Sequence, residues 1–278
     1  MNRPAHPDPA IDLAAAIRPI VFWGPKNSGK TTYLGQMLRR PDDLDEAADW
    51  SVTPADERSA DYAANVLDML RLEGAVRPTL FTEKPFWFKL QERRRFRPAA
   101  EWDLLVLDPK GEMFMRNRLR ESDDRTVLDL VARSRGLVLL VDPTGPDAAN
   151  SYWEMFADNI HTFVQAMRSS PDADRRLDDH NRIRVATAVC LTKMDCYPDG
   201  DEPMTFLRTR LGAAHDLIQR SFTNYRVFAS SALGGGGPGA AGTSSSSGGN
   251  GIGSGRPWGL IPPLRWLTRQ QRPRLLFP

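Results

Sequence analysis

Gly24-Pro25-Lys26-Asn27-Ser28-Gly29-Lys30-Thr31 follows the apolar run Pro19 to Trp23 and opens a helical pattern that reaches Arg40. The octapeptide satisfies G-x-x-x-x-G-K-[ST] where that pattern has a physical meaning, between a strand and a helix. Its glycines permit a tight loop whose backbone N–H groups can wrap phosphate, and the helix N-terminus adds a favourable partial charge at the same place. Lys30 would reach the β- and γ-phosphates. Thr31 would offer a hydroxyl to Mg2+, which prefers hard oxygen ligands. The motif points to a nucleotide and does not by itself choose between ATP and GTP.

Outward from the loop, further short runs rich in Val, Ile, Leu and Phe recur at Leu104 to Leu107, Leu137 to Val141, Ile183 to Leu191 and Tyr225 to Ala229. Runs this short with little alternation read as strands buried on both faces, which is what a parallel sheet covered by helices demands. Phe86 to Leu90 is one more candidate, followed by Arg93, Arg94, Arg95 and Arg97. That basic run reads as a solvated hairpin turn joining two antiparallel strands, with phosphate recognition as the alternative. Between the runs, Ala55 to Leu72 aligns Ala63, Val66, Leu67 and Leu70 on one helical stripe. Ala148 to Met167 does the same with Tyr152, Met155, Phe156, Ile160, Phe163 and Met167. Strand and helix alternate, so the fold class is α/β.

The 278 residues are 41% hydrophobic and 26% charged, a balance that excludes wholesale disorder or a fibrous chain. The 37 basic and 35 acidic side chains leave a formal charge of +2, which argues against a large nucleic-acid or anionic-membrane footprint. Cys190 and Cys196 form neither a disulfide framework nor a four-ligand zinc site and read as reduced thiols. Met1 to Ala10 holds three prolines and no apolar stretch of a secretory signal. No run approaches the roughly 18 apolar residues of a membrane span. The expectation is a cytoplasmic protein without nucleic-acid partner or membrane span.

Three further motifs follow in order. Asp108-Pro109-Lys110-Gly111 ends an apolar run, so Asp108 would hold a magnesium-bound water and the Gly111 N–H would approach a γ-phosphate, a plain turn being the alternative. Thr192-Lys193-Met194-Asp195 comes at the expected carboxyl end of a parallel strand, where open α/β sheets bind ligands. The Asp195 carboxylate can accept from guanine N1–H and its exocyclic amine, a donor pair that adenine lacks. Lys193 could lay its methylene stem over the base while its ammonium stays hydrated. Ser230-Ser231-Ala232-Leu233 ends the Tyr225 run and would complete a base pocket through backbone N–H groups.

Together these residues resemble the translation-factor-related class of P-loop GTPases, which includes the Ras-like and Arf-like proteins. The first guanine-nucleotide motif looks like Gly24 to Thr31, the third like Asp108 to Gly111, the fourth like Thr192 to Asp195, and the fifth like Ser231-Ala232. A narrower resemblance, to the bacterial double-GTPase proteins of predicted conflict systems, rests on Phe22-Trp23-Gly24-Pro25, a helical insertion before switch I, and Asp108 to Glu112. The resemblance implies a three-layer P-loop GTPase fold, with a mostly parallel six-stranded sheet and helices on both faces. It also implies a GTP/GDP switch read by an effector or activator protein, a second GTPase among the candidates.

Residue by residue, the resemblance carries nucleotide contacts onto Gly24, Lys26, Asn27, Ser28, Gly29, Lys30, Thr31, Thr32, Gly111, Thr192, Lys193, Asp195, Ser231 and Ala232. It carries magnesium onto Thr31, Asp108 and the switch I threonine, which is Thr79 or Thr82, and catalysis onto Lys30, Thr79 and Glu112. Many family members have a water-orienting glutamine where this chain has Glu112. A carboxylate there would be repelled by the γ-phosphate, so slow hydrolysis is the expectation, with a nucleotide-locked scaffold or an ATPase as alternatives. Asn27 sits where potassium-activated members bind a monovalent cation. Asn27 capping its own loop, with Arg77 as an internal finger, is the competing reading. The implied layout is a flexible segment 1–17, a GTPase domain 18–233 with a helical insertion about 41–76, a disordered Gly/Ser-rich insertion 234–256, and a segment 257–278. In that last segment Trp258, Leu260, Ile261, Leu264, Trp266 and Leu267 are apolar enough to dock a short helix on the domain.

Overall fold

The computed structural model describes residues 18–24, 28–39, 49–73, 86–94, 97–106, 132–144, 157, 160, 161, 164, 165, 167–169, 176–197, 202–234 and 256–270. Seven strands form one sheet: β1 (Ile20–Trp23), β2 (Trp50–Pro54), β3 (Phe86–Arg94), β4 (Arg97–Val106), β5 (Gly136–Val141), β6 (Ala186–Leu191) and β7 (Tyr225–Ala229). The helices are α1 (Lys30–Met37), α2 (Glu57–Glu73), α3 (Pro203–Arg210), α4 (Gly212–Ser221) and α5 (Ile261–Gln270). Residues 157, 160, 161, 164, 165, 167 and 168 are helical as well. The strand order is β2-β3-β4-β1-β5-β6-β7. β4, β1, β5, β6 and β7 run parallel, while β3 is antiparallel to both β2 and β4.

Both faces of the sheet are covered, which is why its central strands read as continuous apolar runs. Along β1, Ile20 and Phe22 join Tyr33, Leu34 and Met37 of α1, Ala63 and Val66 of α2, and Leu264 and Leu267 of α5. Val21 and Trp23 point the other way, toward Ile160, Met167, Phe206 and Leu207 of α3, and Ala214 and Ile218 of α4. The same alternation recurs in β5, with Val138 and Leu140 on the first face and Leu137, Leu139 and Val141 on the second. Helix, sheet and helix make the three-layer α/β arrangement expected from the sequence.

The strand count differs: the described residues hold seven, because Trp50–Pro54 adds an edge strand inside the region read as a helical insertion. Trp50 and Val52 face the core while Thr53 and Pro54 are exposed, and Pro54 sits where an edge strand tolerates a missing donor. Five residues of period-2 pattern ending in proline are too short to stand out from their surroundings. β4 begins well before Leu104 because its outer half alternates Glu101 and Asp103 with Trp102 and Leu104 instead of being uniformly apolar. β6 begins at Ala186, and Ile183 makes only isolated bridges to Leu177 and Phe222. The basic run does close a hairpin, with Arg94 paired to Arg97. Of the stripe expected on Ala148 to Met167, Ile160 and Met167 are buried. Tyr152, Met155, Phe156 and Phe163 lie outside the described residues.

Candidate functional site

Strands β2 to β4 lie on one side of β1 and β5 to β7 on the other, so the sheet's topological switch point lies at β1. Ligands of open α/β sheets bind outside the carboxyl ends of such strands. There the phosphate loop runs from Gly24 into α1. Gly29 is the N-cap of α1 at φ 84°, a conformation that a side chain would strain. It makes no side-chain cap, and the first turn of α1 carries no acidic residue. Within the helix itself nothing caps or neutralises the positive end, an arrangement that suits an anion.

Lys30, only 6% exposed, donates from Nζ to the Gly24 carbonyl oxygen at 2.7 Å, which ties its side chain to the end of β1. Ser28 is fully buried, and its Oγ has no hydrogen-bond partner among the described residues. A buried hydroxyl left this way costs on the order of 1–3 kcal/mol, so a ligand that engages it would recover part of that. Thr31 and Thr32 follow in the first turn of α1, each half-buried.

The loop after β6 lies close to the start of α1. A Cβ on Gly29 would lie 4.0 Å from the Thr192 Cβ, ordinary van der Waals contact. Thr192 is held to the end of β5 twice, its N–H and its Oγ1 donating to the Val141 oxygen at 2.9 and 3.2 Å. Lys193 takes φ 54° and opens a short 3-10 turn, Met194–Cys196, that carries Asp195. The Met194 N–H then donates to the Ser230 oxygen at 3.1 Å, so the loop after β7 with Ser231 and Ala232 is joined to the same assembly. Ser230 and Ser231 are buried.

Asp142, which the sequence reading passed over, holds this assembly together. Its Oδ2 pairs with Lys193 Nζ at 2.6 Å, and its Oδ1 accepts from the Thr144 N–H and Oγ1 at 2.8 and 2.7 Å. The Tyr197 hydroxyl adds a bond to the Pro143 oxygen at 3.0 Å. A signal was present, since Asp142-Pro143-Thr144-Gly145 repeats the D-P-x-G of Asp108 to Gly111 at the end of another apolar run. Trp258 was also missed as a neighbour of this region; it bridges to Ser231, and its buried Nε1 has no partner among the described residues.

The structure thus brings Gly24, Ser28, Gly29 and Lys30 together with Thr192, Lys193 and, through Ser230, the loop bearing Ser231 and Ala232. Lys26, Asn27, Arg77, Thr79, Thr82, Asp108, Gly111 and Glu112 lie outside the described residues. Among the described residues no group of three or more His, Cys, Asp or Glu side chains is arranged to hold a metal ion. Nor is any helix there long and apolar enough to cross a membrane.

No protein-family model matches the chain, and no curated protein does. Solved structures of similar outline include the Arl6 BBS3 small GTPase of Trypanosoma brucei with the bound nucleotide analogue GppNp. It is 15% identical at a TM-score of 0.40, over 92% of this chain and 97% of that one. The signal recognition particle receptor SRb-GTP/SRX complex of Chaetomium thermophilum matches at 14% identity and a TM-score of 0.45, over 81% and 94%. The GTPase-like domain of S. cerevisiae Ski7, bound to GDP and inorganic phosphate, matches at 15% and 0.38, over 80% and 45%. At these values the likeness carries no function from those proteins to this chain.

Proposed function

We propose that the chain binds a guanine nucleotide across the carboxyl ends of β1, β6 and β7 and hydrolyses GTP slowly, as a magnesium-dependent switch. The observation that carries this reading is the closeness of Gly29 to Thr192, where a Cβ built on the glycine would come within 4.0 Å of the threonine Cβ. The start of α1 thus neighbours the loop whose Asp195 suits guanine. Thr31 and Asp108 are hard oxygen donors of the kind Mg2+ prefers, with Thr79 or Thr82 as the third. Bound there, the ion would neutralise charge on the β- and γ-phosphates. Lys30 and the loop N–H groups would orient the phosphates, and the register pairing Phe22 with Val106 brings the end of β4 beside the loop that does so.

Glu112 supports slow turnover and also a second reading, a scaffold that holds its nucleotide without appreciable hydrolysis. In either case a protein partner would read the bound state, a second GTPase among the candidates. Charge opposite Glu112 comes from a monovalent cation at Asn27 or from an arginine such as Arg77, and hydrolysis rates in KCl and NaCl at equal ionic strength separate the two.

Titration of the purified chain with GTP, GDP and ATP in magnesium, followed by single-turnover phosphate release, tests the whole reading. Tight binding of GTP and GDP over ATP is expected, lost in Lys30→Ala because only backbone groups then face the phosphates. Equal affinity for ATP would refute the guanine assignment, and wild-type affinity in Lys30→Ala would move the site away from this loop. Binding without phosphate release would select the scaffold.

A further inference from the structure

Residues 256–260 meet the sheet beyond the Gly/Ser-rich stretch and lie against two separate parts of the proposed site. On one side Trp258 and Ser231 exchange both backbone hydrogen bonds, N–H to oxygen, at 3.0 Å in each direction. Ser231 belongs to the loop after β7 and is fully buried. On the other side the Leu260 carbonyl accepts from the hydroxyl of Tyr33, on the helix that the phosphate loop opens. Between these two contacts Gly259 turns the chain at φ 72°. A Cβ at Gly259 would stand 2.2 Å from the Ala229 carbonyl oxygen and 3.0 Å from the Ser230 Cα. The atoms such a Cβ would meet are backbone, so the clash could not be relieved by turning a side chain, and only a residue without a Cβ lets segment 258–260 lie this close to the loop after β7. α5 anchors the segment from the far side, with Leu264 and Leu267 fully buried.

We propose that residues 258–260 form a positioning strap that fixes the base-facing loop relative to α1, so that nucleotide binding and docking of the C-terminal segment are coupled. This rests on the guanine-nucleotide reading above. Gly259 is a positioning residue that acts through the backbone of Ser230 and Ser231. Such coupling is reciprocal: a strap that shapes the site for the nucleotide is itself held more firmly when the nucleotide is bound.

Amide hydrogen exchange on the intact chain, with and without GDP, reads that coupling directly. GDP should slow exchange at the Ser231 and Trp258 amides and leave the β3–β4 hairpin unchanged. Gly259→Ala should raise the GDP dissociation constant about tenfold, within the usual range for coupled sites, while pyrophosphate affinity stays the same. Tyr33→Phe keeps the ring packing and removes only the hydroxyl. It should weaken GDP binding in the same direction and reduce the GDP-induced protection, and it decides the matter should Gly259→Ala fail to fold. Unchanged exchange at Ser231 and Trp258 in a chain that binds GDP would overturn the strap and leave the nucleotide reading standing, as would unchanged GDP affinity in both variants. Equal losses for GDP and pyrophosphate would mean general damage to the site and would overturn it too. A wild-type chain that binds neither GTP nor GDP would overturn the nucleotide reading and the strap with it.

Discussion

The Lys193 side chain is 41% exposed while its partner Asp142 is 11% exposed. A pair that open to water contributes at most about 1 kcal/mol to stability, so its consequence is where it holds the lysine stem. Asp142→Ala should weaken GDP binding by about 1 kcal/mol, the scale of such a pair, and lower the unfolding free energy by about 1 kcal/mol, since the two Thr144 bonds to Oδ1 are lost with it. Calorimetric titration and denaturant unfolding of the same variant check the two halves. Asp195→Asn should cost GTP binding ~1–3 kcal/mol, the worth of charge-assisted hydrogen bonds, and turn preference toward xanthine nucleotides, since an amide donates where guanine N1–H needs an acceptor. The two thiols divide cleanly. Burial pushes the Cys190 thiol far up, against a smaller opposing effect of the Tyr33 hydroxyl, and Cys190 is fully buried. Cys196 is exposed, and its thiol is raised by partial burial and then by the Asp195 charge. Only the thiolate reacts, so a disulfide reagent should label one thiol of the folded chain, faster as pH rises above the ordinary thiol range, and the second only on unfolding. Labelling of Cys190 in the native chain would contradict its burial.

α1 and α2 approach closely at Gly35, where a Cβ would lie 2.5 Å from Val66 Cγ1 and 2.6 Å from Leu70 Cδ1. Alanine is the better helix former by about 1 kcal/mol. Val66 is fully buried and branched, though, and cannot swing away, so overpacking of about 1–3 kcal/mol should win. Gly35→Ala is therefore expected to lower the unfolding free energy by roughly 1 kcal/mol, read from denaturant unfolding; a more stable variant would show that α2 can shift outward. α2 itself was legible in the sequence, because Ala63, Val66, Leu67 and Leu70 repeat at helical spacing over two turns; the structure adds a cap at its start, Asp56 accepting from the Ser59 N–H at 2.7 Å. β2 and the outer half of β4 were not legible. Their side chains are half core and half solvent, and what makes them strands is the β3 backbone they pair with.

The sheet joins two apolar cores, and the proposed nucleotide site lies where strands that contribute to both of them end. A ligand that binds only the folded chain should stabilise it as a whole. GDP at about a hundred times its dissociation constant should add ~2.7 kcal/mol and raise the melting temperature, while ATP at the same concentration should not. Equal shifts by both nucleotides would count against guanine selection. The sequence by itself determined the α/β class and the glycine turn from which α1 starts. That turn is written in consecutive residues whose glycine conformation and helix start are local properties, and buried parallel strands are continuous apolar runs. It also placed Thr192 to Asp195 at a strand end. Only the tertiary structure decided that Asp142 meets Lys193, 51 residues away, and that Tyr33 meets Leu260, 227 residues away. A contact between distant residues leaves no periodicity or local composition to read. It exists because the parallel register of β1, β5, β6 and β7 carries their carboxyl ends to one side, and because a single glycine lets the returning chain press against them.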